Sequence, residues 1–421
     1  MRPLDQDDDG VCMRDRLSSL RLRAHAVTGL DQALSSASNV LAVVLVGRAS
    51  SADEFGRFAL AYAVLTVMVG LNRAYLANRI SLSSSNEEAR AATATATGGI
   101  LSIAPAIVLL VWAIARVSGG AGSLVLIVAL VAPVVCLQDL LRFGSVASHR
   151  PGVAVLSDGI WTAFLAVPLM LGMSPKPAQA VAIWAVGAVV AALVGLARLG
   201  LRPRVVEGWR ALRHHDPVGR SLLFGRMATS AASLVAISAS AAILGAAAAG
   251  SLRGASTLLG PLNVMFSLVP LTLTPVLIRR PRSGDLKACA AVALGLLSLV
   301  LVWGGALLLL LPPELGTKVL GSSWAGARSV LPFTVLEYCS MSCTASILLA
   351  ARLRGNARGI ALQQTVLAVV TVVLGVGAAW LTHDVRYVAA AFGIGSVAAA
   401  TTGAASLLRG SRRSLPATVA A

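Results

Sequence analysis

Runs of roughly twenty apolar residues, separated by short basic connectors, recur from residue 30 almost to the end of the chain. No other feature restricts the fold so severely. At about 1.5 Å per residue, some twenty helical residues cross the roughly 30 Å hydrocarbon layer of a bilayer. A backbone inside that layer has no water to bond, so each run is read as an α-helix that satisfies its own polar groups. Twelve runs qualify, at 30–47, 58–77, 97–115, 124–141, 153–171 and 178–196, then 221–244, 255–278, 288–311, 330–350, 359–381 and 387–408. The third is the least regular, because Thr and Gly crowd its start. Composition excludes a water-soluble alternative: 57% of residues are hydrophobic and only 13% charged, with a mean hydropathy of +0.80. A globular surface needs far more charge. The expected fold is an all-α polytopic membrane protein of about 12 transmembrane helices.

The net charge of +17 would suggest nucleic acid in a soluble protein. Here the arginines lie in connectors between apolar runs, the pattern of cytoplasmic loops, so the partner expected is anionic lipid headgroups and not nucleic acid. Alternate connectors differ sharply: one set with the two termini holds 25 Lys and Arg, the other set 8. This asymmetry predicts that both termini are cytoplasmic, in a bacterial inner (plasma) membrane. Residues 1–27 are polar and charged, so the first run is expected to act as its own uncleaved signal. Residues 1–27 and 409–421 are then cytoplasmic tails. The basic connector 200–220 separates an N-lobe, 28–199, from a C-lobe, 221–408. Val205, Trp209 and Leu212 recur at helical spacing within it, which predicts a short helix lying on the inner leaflet.

The two lobes read as repeats. A shift of 194 residues lays Gln32, Ser36 and Asn39 on Arg226, Ser230 and Ser233, and Gly56 on Gly250. Six spans per repeat is an even number, so both repeats enter the membrane in the same direction. Their symmetry axis is expected to lie along the membrane normal, with a central cavity between the lobes.

Polar side chains inside spans carry the functional signal, because each is costly there without a cavity or partner. Gln32, Ser36 and Asn39 share one face of the first helix, and Ser230 and Ser233 continue Arg226 on the seventh. Tyr62, Thr66 and Arg73 share a face of the second helix. Arg73, Arg142 and Arg226 fall near the cytoplasmic ends of their spans, where paired guanidinium hydrogen bonds suit a phosphate or pyrophosphate. The same arginines also suit snorkelling into headgroups, and Asp139 suits pairing with Arg142 three residues on. Asp31, Glu337, Asp139 and Asp158 are the carboxylates placed to couple a proton or cation, or to gate. The serines are equally explained by hydroxyls bonded to their own backbone.

Nothing points to chemistry on a substrate. The five cysteines and five histidines show no ligand or disulfide spacing, and there is no nucleotide-binding glycine motif or HExxH. No metal, cofactor or catalytic residue is expected. The outer loops are short, leaving little room for the acidic catalytic domain of a membrane polymerase.

Leu30-Asp-Gln-Ala-Leu-Ser-Ser-Ala-Ser-Asn39, with Gly47-Arg-Ala-Ser-Ser-Ala-Asp-Glu-Phe-Gly56-Arg-Phe-Ala-Leu60, resembles the opening of bacterial polysaccharide-biosynthesis flippases. These Wzx-like O-antigen and exopolysaccharide transporters belong to the multidrug/oligosaccharidyl-lipid/polysaccharide exporter superfamily. The stretch from Leu137-Gln-Asp-Leu-Leu-Arg-Phe143 to Asp158-Gly-Ile-Trp161 is similar to their fourth and fifth helices, and Leu320-Gly-Ser-Ser-Trp324-Ala-Gly-Ala-Arg328 resembles the entry to their tenth. The resemblance implies two six-helix lobes that alternate between inward- and outward-open states. It implies as cargo a polyprenyl-pyrophosphate-linked saccharide moved to the outer leaflet, with glycosyltransferases and a polymerase of the same pathway as partners. The family often has fourteen spans, and this chain departs from it with twelve. A cation-coupled multidrug extruder of the same fold is the first rival. A membrane saccharide polymerase or ligase, or an envelope scaffold without transport, are the others.

Overall fold

A computed structural model describes residues 8–81, 83, 85–117, 122–213, 217–263, 265–266, 285–354 and 356–413. Among these the chain is helical throughout, without strands. The N-lobe comprises α1 (Asp8–Ala49), α2 (Ala52–Asn72), α3 (Asn86–Val117), α4 (Ser123–Ala147), α5 (Pro151–Met170) and α6 (Pro177–Leu199). The short α7 (Val205–Arg213) follows. The C-lobe comprises α8 (Pro217–Leu244), α9 (Ala246–Leu258), α10 (Asp285–Leu310), α11 (Pro313–Leu320), α12 (Trp324–Leu353), α13 (Ala357–Thr382) and α14 (Val385–Arg413).

Ten of the described helical stretches are long and apolar enough to cross a membrane, and α3 makes an eleventh as a bent pair. The chain is a multi-pass membrane protein. The bend in α3 is 54° between Ser102 and Ala104, where Pro105 removes a backbone donor from the helix ladder. The expected span at 255–278 reaches only its first half here, because residues 267–284 lie outside the described residues. The connector between the ninth and tenth runs, Pro312–Arg328, holds α11 and the first turn of α12, so Arg328 is a helix residue.

One apolar core fills the N-lobe and extends to Leu320, Trp324 and Ala327 of the C-lobe, and a second lies within the C-lobe. In the N-lobe, α1 packs on α5, α3 and α6 pack on α4, and α5 packs on α6. Phe55, Phe58, Leu140, Leu165 and Trp184 are fully buried there. In the C-lobe α14 packs between α12 and α13, with α8 against α13 and α10 against α12. Val300, Leu331 and Ala379 centre a separate cluster. Leucines facing outward, such as Leu193, Leu294 and Leu309, are exposed, as lipid-facing positions in a bilayer should be.

The lobes meet closely at the charge-poor end of the bundle, where the connectors carry few cations. Ser51 caps α2 there, its backbone N–H donating to Glu54 Oε2 at 2.9 Å. One turn further in, a Cβ built on Gly56 overlaps the Ala246 carbonyl at the start of α9, and one on Gly250 falls 3.2 Å from the Gly56 nitrogen. Gly56 and Gly250 are the pair related by the 194-residue shift. A residue that touches its own repeat equivalent lies on the symmetry axis, as in an isologous interface. Beside them a Cβ built on Gly47 would lie 3.5 Å from the Leu320 carbonyl oxygen, and the Ser322 hydroxyl donates to the Ser50 carbonyl at 3.0 Å.

Since backbone sits where a methyl group would go, Gly56→Ala must separate α2 from α9. Its thermal unfolding in detergent is expected to fall by about 5 °C or more. Gly295→Ala, a helix position with nothing within 4 Å, leaves it unchanged or slightly raised. Equal unfolding temperatures for the two variants contradict the contact.

Candidate functional site

Four N-lobe helices converge on a buried ionic cluster. Asp31 comes from α1, Asp139 and Arg142 from α4, Asp158 from α5, and Arg73 from the end of α2. Helix α2 changes there from α to a π turn, Arg73–Ala77. Such turns widen the helix by one residue and recur at functional positions. Arg142 is the centre: its Nη2 donates to Asp31 Oδ2 at 2.8 Å, its Nε lies 2.9 Å from Asp158 Oδ2, and its Nη1 lies 3.5 Å from Asp139 Oδ1. Arg73 grips Asp139 with both arms, Nε to Oδ2 at 2.9 Å and Nη2 to Oδ1 at 2.7 Å. Gln138 donates to Asp158 Oδ1 and, at 3.3 Å, to the Ser157 hydroxyl. The Thr162 hydroxyl lies 3.1 Å from the Leu34 carbonyl of α1.

Arg142, Asp31, Asp139 and Asp158 are all buried; Arg73 has a side chain 46% exposed. Read from the sequence as suited to a phosphate, to snorkelling or to pairing with Asp139, Arg142 is placed here among carboxylates. Its guanidinium is enclosed and shared among three carboxylates, because Asp31 and Asp158 reach it from helices its own sequence neighbourhood does not reveal. Asp139 does pair with Arg142, though its better bonds go to Arg73. Asp31 and Asp158, expected as coupling groups, likewise face Arg142 and not a cavity in this structure.

A second polar group lies at the seam between the lobes. Tyr62 of α2 donates its hydroxyl to Asn39 Oδ1 of α1 at 2.5 Å, and Asn39 donates to the Ser35 carbonyl at 2.8 Å. The guanidinium of Arg253, from α9, lies 4.5 Å from the centre of the Tyr62 ring, a cation–π distance. Arg253 has no ion pair among the described residues, and its Nε is buried without a hydrogen-bond acceptor. Ser36 and Ser230 are half-buried, Gln32 likewise, while Asn39 and Ser233 are exposed. Ser233 is 3.5 Å from its own helix carbonyl at Thr229. Arg226 is within α8, but its side chain lies outside the described residues. Glu337 of α12 is half-buried and shows no ion pair among the described residues. Nearby, Thr344 donates to the Ser396 carbonyl at 2.9 Å and accepts no charge.

Arg253 is the residue that the sequence reading missed. Assigned to the outer connector two residues before its span, it belongs to α9. The repeat held the signal: the shift that sets Gly250 on Gly56 sets Arg253 on Ala59, a buried position of α2.

No protein-family model and no curated protein matches the chain. Solved structures do. An inward-facing MATE family multidrug resistance transporter of the MOP superfamily superposes with a TM-score of 0.66 at 13% identity, over 91% of this chain and 96% of that one. The lipid II flippase MurJ in an inward closed conformation gives 0.64 at 12% identity, over 92% and 87%. The eukaryotic MATE transporter AtDTX14 gives 0.60 at 13% identity, over 92% and 96%. At such identities the likeness establishes a shared fold over nearly the whole chain.

Removing Arg142 strands at least two buried carboxylates, which in other proteins costs about 3–5 kcal/mol. Arg142→Ala is therefore expected to lower the unfolding temperature in detergent more than Arg73→Ala, whose guanidinium is half exposed. Adding Asp158→Asn to Arg142→Ala recovers part of the loss. An Arg142→Ala protein as stable as the parent contradicts the cluster's role in the fold.

Proposed function

We propose that this protein is a flippase that moves a polyprenyl-pyrophosphate-linked saccharide from the inner to the outer leaflet by alternating access. One observation carries the reading. Asp31, Asp139 and Asp158 are buried and paired, whereas the seam between the lobes holds the guanidinium of Arg253, without a carboxylate partner among the described residues, beside a polar stripe on α1. Such a seam favours an anionic headgroup over a cationic drug. Flipping needs no bond to be made or broken, only a path that keeps the headgroup hydrated while the polyprenyl tail stays in lipid. Arg253, and Arg73 through its exposed edge, supply charge-assisted donors for pyrophosphate. Asn39, Ser36, Ser230 and Ser233 supply hydroxyl and amide partners for sugars. The fold shared with MATE transporters and MurJ supports transport as the class of activity.

A second reading, cation-coupled extrusion of an organic cation, is favoured by Glu337, a carboxylate within the C-lobe that has no cationic partner among the described residues.

The discriminating experiment reconstitutes the protein in liposomes. It follows a fluorescent polyprenyl-pyrophosphate saccharide by its accessibility to an impermeant quencher, with proton-driven ethidium uptake measured in parallel. Protein-dependent movement of the lipid is expected, slowed about tenfold or more in folded Arg253→Ala, the effect of losing one or two charged hydrogen bonds. Arg253→Lys retains part of it. Ethidium transport that depends on Glu337, with no lipid movement, overturns the flippase reading.

A further inference from the structure

Helix α7 joins the lobes at the basic end of the bundle, and it is docked by backbone contact. A Cβ on Gly208 overlaps the backbone of Gly98 and Gly99 in α3, and one on Gly98 overlaps the Arg204 backbone. The Arg204 N–H donates to the Ala94 carbonyl at 2.9 Å, and a Cβ built on Gly99 would lie 3.5 Å from the Leu212 side chain. Only glycine permits so close an approach. The helix is thereby held at a fixed level on α3, beside residues 94–99 where the apolar run of that span begins.

Its other side is unpartnered among the described residues and has a distinct chemistry. Val206 is 63% exposed, Val205 45% and Trp209 40%. Arg202, Arg210 and Arg213 are exposed around them without a carboxylate partner, and the Arg213 guanidinium lies 4.3 Å from the Trp209 ring centre. Arg204 differs, being paired with Glu207 at 3.1 Å. Bulk water suits this face poorly, since it wets two valines and an indole. A headgroup layer suits every part of it: valines toward the acyl boundary, the indole at the interface, and arginines among phosphates.

We infer that α7 is a binding surface for anionic phospholipid of the adjacent leaflet, with Arg202, Arg210 and Arg213 holding the phosphates. The inference does not depend on which cargo the protein carries. Because α7 is clamped to the N-lobe and leads into α8, the first C-lobe helix, lipid binding anchors one lobe at the membrane surface while the chain to the other begins at its end.

The test places the full chain in nanodiscs of phosphatidylcholine alone, or with about 30% phosphatidylglycerol, and follows amide hydrogen exchange at 200–213. With three arginines at an anionic surface, exchange is expected to slow about fivefold or more in the anionic discs. It should be unchanged at Ser123–Ala147. The exposed triple variant R202Q/R210Q/R213Q abolishes the difference while α4 exchanges as before. Brominated lipid quenches Trp209, judged by comparison with Trp209→Phe. Equal exchange in the two discs overturns the inference, as does a triple variant that still responds. Protection produced by inorganic phosphate in phosphatidylcholine discs overturns it too, since the ligand is then a free anion and not the lipid surface.

Discussion

Arg142 sets the terms for the N-lobe. A guanidinium enclosed by apolar helices is tolerated only with carboxylates around it, and carboxylates so placed need the guanidinium in turn. Asp31, Asp139 and Asp158 meet that need from three helices, and Arg73 completes the set from a fourth. Burial of apolar side chains sets register only weakly in hydrocarbon, because lipid tails are as apolar as the surfaces they compete for, and it leaves register to polar groups and close backbone contacts. The ionic cluster does set it. It ties α1, α2, α4 and α5 together at a single depth and lets the N-lobe behave as one body.

The C-lobe lacks such a cluster among the described residues. It is joined by hydroxyl and amide bonds: Gln363 donates to the Thr344 backbone carbonyl at 3.1 Å, and the Tyr338 hydroxyl donates to the Asn263 side-chain oxygen at 3.0 Å. The two repeats are thus alike in path and unlike in charge. What they share is the glycine contact at the charge-poor end, where Gly56 and Gly250 bring α2 and α9 together. A contact made of glycine backbone holds the lobes in register without interlocking side chains, which suits a seam that would open in the proposed flippase cycle. Below it, Arg253 on Tyr62 is the charged group that such opening would release.

Much of this architecture was legible from residues alone. Ten of the apolar runs fall within single membrane-length helices, because hydropathy reports directly on the bilayer, although α1 begins far earlier, at Asp8, and α2, α4 and α12 each overrun one expected end by six residues. The repeat was legible too, and Gly56 against Gly250 shows why: a close backbone approach leaves a glycine in each copy. The roles of Arg142 and Asp31 were not. Spacing along one helix reveals partners three or four residues away, such as Asp139, but Asp31 lies 111 residues from Arg142 and meets it only through packing. Arg253 was misplaced for a different reason. An arginine beside a short connector looks like a loop residue, and hydropathy trims it from the span to which it belongs. The third run, expected to be least regular because of the Thr and Gly at its start, is regular helix there, and its bend falls further on, near Pro105.

In the flippase proposed above, the charge-poor seam between the lobes must open for cargo to cross. Ser50 and Ser322 touch across that seam, so cysteines at both positions, in a chain whose five native cysteines are replaced by alanine, can be oxidised to a disulfide. The measurement is movement of the fluorescent polyprenyl-pyrophosphate saccharide between liposome leaflets, before oxidation, after it, and after reduction. The account predicts movement that stops when the bond forms and returns when it is reduced. Undiminished movement in fully crosslinked protein would contradict it.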